Sequence, residues 1–236
     1  AREAVFKILA KESLSIHEKL IVILDMGSKI QQCINTDEYD NIKSVVNDYL
    51  KEGIAHTLDE TRNLSDSGQF EDISLQQGIR QILYPYEEME VLNPEWEVIL
   101  KDIIDSLFEQ MSDEEYNILN EEFGTYMVSR AYEYRQLLEY LVFRYFAKSI
   151  YDYDFLGKCQ MLVTNFFVIR QMDIIRWLDN HREYSFKDRM DVVHIFSRQV
   201  EYSEDNIENL YEDFIFDDIF KTDSLIAILW IDSENI

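Results

Sequence analysis

The stretch FLGKCQMLVTNFFVIRQMDIIRWL, Phe155–Leu178, decides how the rest of the chain is read. Its apolar residues fall on every side of a 3.6-residue helix rather than along one stripe, which predicts a helix covered by neighbours on several sides. At about 1.5 Å per residue the segment would run roughly 36 Å. Just before it, YRQLLEYLVFRYFAKSI (Tyr134–Ile150) has the same character. Two such segments in succession predict a pair of long apolar central helices.

Outward from this pair, capping signals punctuate helical periodicity. Ser15-Ile16-His17-Glu18 is a capping-box pattern before LIVILDMGSKIQQCI, and Ser112 to Glu115 is another. Asp37 reads as the cap of a helix ending near Gly53. Asn93-Pro94 offers an N-cap followed by proline at the first helical position, leading into EWEVILKDIIDSLFEQ. Ser185 with Asp188 opens a further helix, and two more start near residues 204 and 223. Residues 53–73 lose periodicity and gather Ser, Asp, Asn and Gly, so they read as a polar connection. No strand-period segment competes with these, and six glycines and two prolines in 236 residues are too few for a turn-dense β fold. The expectation is all-α: a multi-helix orthogonal or bundle-like domain around the two central helices. It would be a single helical domain over 1–236, with N-terminal helices (1–52), the polar connection (53–73) and a main bundle (74–236). Because the chain opens without Met inside a helical pattern, it also reads as a piece of a longer protein.

Charge narrows the function classes. The chain has 22 Lys and Arg against 47 Asp and Glu, a formal charge of −25. Residues 87–122 and 201–236 hold 2 basic and 24 acidic side chains between them, and so carry −22 of that total. These read as solvated helix faces, or as a surface attractive to a lysine-bearing partner. A nucleic-acid partner is not expected, because phosphate binding needs clustered Lys and Arg. No apolar run approaches a membrane span, and the first residues do not form a signal peptide. Two cysteines, Cys33 and Cys159, cannot supply the four or so ligands of a zinc or iron–sulfur site and read as core residues of a reduced, cytoplasmic protein. The four histidines form no HExxH or i,i+4 pair, so no metal site is expected. GxSxG, P-loop and GxGxxG patterns are absent as well.

The candidate site residues are polar groups set among apolar ones. Arg170, Asp173, Arg176 and Asp179 succeed one another at i,i+3 spacing. They read as a charge ladder along one helix side, or as a polar pocket in which Arg170 and Arg176 meet an anion. Arg144, inside LVFRYF, raises the same question. His194, followed by Arg198, reads as a partly buried histidine or as a general base. The Tyr- and Phe-rich run from Tyr126 to Phe155 reads mostly as core and core edge.

Several of these stretches together resemble the C-terminal helical region of the bacterial flagellin lysine-N-methylase family. The likeness is carried by REAVFKIL, LSIHEKLIVIL, VLNPEWEVIL, LLEYLVFRYFAKSIYDYD, VIRQMDIIRWL, HIFSRQVEYSEDNIENLYE and the closing SLIAIL. The resemblance implies methylation of flagellin lysine side chains with S-adenosylmethionine as donor, in the cytoplasm. It also implies an iron–sulfur cluster in an N-terminal cysteine region that these residues do not contain, so this segment alone would be inactive. FSRQVEYS places Tyr202 where the family pattern has histidine. The rival reading is a non-catalytic helical module that binds a partner protein. Convergence of the central Arg and His side chains on one concavity would favour a ligand site over that module.

Overall fold

Helices α1 (Arg2–Leu9) and α2 (Ile16–Asn35) open the computed structural model, which describes residues 1–66 and 73–234. The box at Ser15 forms: its hydroxyl accepts from the N–H of Glu18, whose carboxylate accepts from the N–H of Ser15. Asp37 does not cap a helix. It lies past the end of α2 at φ 59°, and the Glu38 N–H reaches back to the carbonyl of Cys33. Short polar side chains tolerate this left-handed geometry, so Asp37 closes the old helix instead of starting a new one.

The chain continues through α3 (Ile42–Asp48), α4 (Ile54–Asp66), α5 (Leu75–Glu87), α6 (Pro94–Ile103), α7 (Asp113–Met127) and α8 (Ala131–Tyr145). Then follow α9 (Ser149–Asp152), α10 (Phe155–Asp179), α11 (Phe186–Phe196), α12 (Glu204–Phe216) and α13 (Thr222–Glu234). No strand occurs among the described residues, and the fold is all-α. No described helix is long and apolar enough to cross a membrane.

Of the stretch 53–73 read as polar connection, residues 54–66 are helical and residues 67–72 lie outside the described residues. The buried face of α4 carries Thr57 and Thr61, so apolar periodicity missed it. Thr57 donates to Asp25 at 2.8 Å, and the indole N–H of Trp230 donates to Thr61 at 3.1 Å. The central pair also differs from expectation. α10 is buried along nearly its whole length, whereas α8 buries one face and exposes Tyr132, Tyr140, Phe143 and Arg144 on the other. The Tyr- and Phe-rich run accordingly splits, with Tyr134, Tyr145, Phe146 and Phe155 buried.

The chain groups into two compact units. The first takes the described residues of Ala1–Asp72 with Tyr126–Val163 and Thr222–Glu234. In it α2 packs against α1, α4, α8 and α13. A buried His17–Asp232 contact of 2.6 Å joins α2 to α13. Both cysteines are buried here as separate free thiols, and burial raises the Cys159 thiol well above its ordinary pKa. Gly27 of α2 faces Cys159, and a Cβ at Gly27 would stand 2.6 Å from that sulfur. Gly27→Ala should therefore destabilise the protein by about 1–3 kcal/mol, overriding alanine's better helix propensity. Urea unfolding checks this, and adding Cys159→Ala should restore part of the loss if the clash is the cause.

The second unit takes Ile73–Thr125 and Thr164–Lys221. Its share of α10 is buried yet polar. Asn165 accepts from the Tyr86 hydroxyl at 2.7 Å, and Gln171 accepts from the Tyr116 hydroxyl at 2.9 Å. Arg170 donates to the Asn120 side chain at 2.9 Å. Asp173 accepts from Tyr184 and from Arg189, the latter at 2.5 Å. Buried polar groups must be bonded, so these contacts fix which α10 side chains face which neighbour.

Candidate functional site

In the second unit, α6, α10 and α11 line a half-open cavity of about 600 Å³. Two of its walls repeat one pattern. Glu95, Val98, Ile99 and Asp102 lie on one face of α6, and Asp191, His194, Ile195 and Arg198 lie at the same spacing along α11 and beyond its end. Residues at i, i+3, i+4 and i+7 share a helix face, so each wall has an isoleucine at its centre and charges at its ends. The end of α10 adds Ile175, Arg176 and Asp179. Ile99, Ile175 and Ile195 are buried and form the apolar floor, while His194 and Arg198 are exposed and Arg176 is half-buried.

Local sequence explains each wall. α11 starts at a capping box in which the Asp188 N–H donates to the Ser185 hydroxyl and the Ser185 N–H donates to Asp188 at 2.7 Å. Burial pushes the Asp188 carboxyl up, but bonds from Ser185 and Asn180 and the nearby Arg176 outweigh it and hold the pKa below the ordinary value. After Phe196 the helix widens into a π-helical turn, Ser197–Glu201, which carries Arg198. Such turns recur at functional sites because the extra residue re-aims side chains.

The same turn holds the start of α6. Gln199 is fully buried: its carbonyl oxygen accepts from the N–H groups of Leu92 and Asn93, and its amide donates to the Glu90 carbonyl at 2.7 Å. Asn206 adds bonds to both backbone groups of Glu90. Two buried amides therefore clamp residues 90–93 and place Asn93 at the cavity. Asn93 caps α6 as read, accepting from the Glu95 N–H at 3.2 Å.

Of the five candidate residues, Arg176, His194 and Arg198 line this one cavity. Arg170 does not; it is buried against Asn120, with Phe123 5.5 Å from its guanidinium carbon. Arg144 lies in the first unit, exposed on α8 with the Tyr145 ring 5.5 Å away. The i,i+3 ladder divides as well, since Asp173 turns to Tyr184 and Arg189 while Arg176 and Asp179 face the cavity. His194, expected to be partly buried, is exposed on the cavity wall. Sequence reading assigned no site role to Asn93, Glu95, Asp102 or Asp191. The shared spacing of the α6 and α11 faces was the available signal.

Three stretches meet at the cavity: VLNPEW, DIIRWL and HIFSRQVEYS. The family model of the FliB lysine N-methylase C-terminal domain matches residues 2–228. The chain belongs to that family. No curated protein and no solved structure matches the chain. For this FliB-family domain the resemblance implies two cofactors, a methyl donor and an iron–sulfur cluster. Cys33 and Cys159 are buried in different helices, and no group of three or more His, Cys, Asp or Glu among the described residues could hold a metal ion. This chain's own residues thus do not fit an iron–sulfur cluster. The cavity, with guanidinium groups, carboxylates and an apolar floor together, does fit a small charged organic ligand such as S-adenosylmethionine.

Proposed function

We propose that the chain is the helical portion of a protein-lysine N-methyltransferase that methylates flagellin lysine side chains, acting in the cytoplasm with S-adenosylmethionine as donor. One observation carries the reading for this family member: unpaired charges of both signs converge on one cavity. Among the described residues, Glu95, Asp102, Arg176, Asp179, Asp191, His194 and Arg198 make no side-chain hydrogen bond or ion pair with each other or with a neighbour. Glu95, Asp102, Asp179, His194 and Arg198 are exposed and Arg176 and Asp191 half-buried, so charges of both signs stay within reach of a charged ligand arriving from solvent.

S-adenosylmethionine, when bound, supplies an electrophilic methyl group on a sulfonium. The carboxylates of the cavity draw in the lysine ammonium, and exposed His194 stands at the wall to accept its proton. With that proton on His194, the lysine nitrogen would be the nucleophile toward the methyl group that a bound donor would supply.

The test incubates the natural full-length protein with flagellin and methyl-labelled S-adenosylmethionine, followed by mass spectrometry of lysine-containing peptides. Label on lysine is expected. His194→Gln should slow labelling by about 100-fold, the usual scale of a general base, without moving the unfolding midpoint. No label on lysine overturns the proposal, and flagellin binding without label would put the interaction module in its place.

A further inference from the structure

The chemistry of the cavity specifies its ligand more closely. Asn93 is only 5% exposed and lines the cavity, yet its amide nitrogen has no hydrogen-bond partner among the described residues. Its oxygen is committed to capping Glu95, so the nitrogen is the group left to donate. The end of α6 itself is spent, because Pro94 has no N–H and the Glu95 N–H is bonded. Anion recognition therefore falls on this amide with the guanidinium groups of Arg176 and Arg198, which suit the two oxygens of a carboxylate.

The opposite charge is in excess. Four carboxylates, Glu95, Asp102, Asp179 and Asp191, face two guanidinium groups, leaving two negative charges uncompensated when His194 is neutral. A simple zwitterion would leave that surplus unmet. A ligand with one carboxylate and two cationic centres carries a net positive charge and halves the surplus, and the isoleucine floor accepts an apolar or ring portion.

We propose that this cavity binds a small molecule that joins an α-amino-acid group to a second cationic centre. The carboxylate would meet Asn93, Arg176 and Arg198, and the cationic centres would meet the acidic ends of α6, α10 and α11. The proposal deepens the methyltransferase reading and rests on it only for one of two possible sources: a sulfonium methyl donor, or a free basic amino acid.

Calorimetric titration of the 236-residue chain with four probes tests it: S-adenosylmethionine, S-adenosylhomocysteine, methylthioadenosine and L-lysine. The expected order has S-adenosylmethionine about tenfold tighter than S-adenosylhomocysteine, which lacks the sulfonium charge. Methylthioadenosine, lacking the amino-acid group, should bind at least about 100-fold more weakly. Asn93→Asp keeps an equally good helix cap but replaces the donor with a carboxylate. Both Asn93→Asp and exposed Arg198→Gln should weaken S-adenosylmethionine binding by about tenfold or more at an unchanged unfolding midpoint. Binding of L-lysine without S-adenosylmethionine, weakened by the same substitutions, would support the ligand class and remove the methyl donor from this cavity. Methylthioadenosine binding as tightly as S-adenosylmethionine, binding by none of the probes, or binding indifferent to Asn93→Asp and Arg198→Gln would each overturn the proposal.

Discussion

Replacing Asp173 with alanine should cost the protein about 3–5 kcal/mol of stability. Asp173 is wholly buried and accepts from Tyr184 and from Arg189, itself only 5% exposed. Removing the carboxylate leaves a guanidinium in a low-dielectric interior without its counter-charge, and that desolvation outweighs the lost packing. Against a typical domain stability of about 5–15 kcal/mol, the loss is a large share of the whole. Denaturant unfolding gives the magnitude. A paired replacement separates charge burial from packing: Asp173→Leu with Arg189→Met should recover most of the loss, because an apolar pair removes both charges together. A double variant as unstable as Asp173→Ala would show that the pair's geometry, not its charge, holds α11 against α10.

Gln199→Leu should cost about 2–4 kcal/mol, with its effect concentrated on a single loop. The substitution keeps a side chain of similar size but leaves the Leu92 and Asn93 N–H groups and the Glu90 carbonyl without their shared partner. Each buried group left unmet carries a penalty of about 1–3 kcal/mol, partly relieved here because Glu90 also bonds Asn206. Amide exchange by mass spectrometry is the suitable measurement. Peptides spanning residues 90–95 should exchange faster, while those from α2 and α13 keep their protection. Since the same loop places Asn93 at the cavity, ligand affinity should fall with loop protection. Uniform acceleration across the chain would instead mean that Gln199 serves global packing.

The fold was legible wherever one residue acts locally. Ser15, Asn93 and Ser185 each start a helix through their own side chain, so the cap and the structure coincide. α4 was invisible because its interior face is made of Thr57 and Thr61, whose burial depends on Asp25 and Trp230, distant partners that no window contains. Asp37 misled for a related reason: a short polar side chain suits either end of a helix, and the Cys33 carbonyl decided which. At the cavity, Arg176, His194 and Arg198 stood out as polar groups beside apolar ones. Arg144 and Arg170 gave the same signal, but helix phase directed them elsewhere. Glu95, Asp102 and Asp191 went unnoticed because an acidic side chain on a helix face looks solvated until another helix stands opposite.

The wide turn at Ser197–Glu201 has a consequence for insertion and deletion. A single residue turns an α-helix by roughly 100°. Deleting one residue within this turn would let the helix regularise, and everything beyond it would rotate by about that angle. Gln199 would swing off the loop it holds and Arg198 would leave the cavity together, although no side chain had been changed. The spacing of this segment is therefore as much a part of the site as its residues, and chains that differ here in length alone should be counted as different sites.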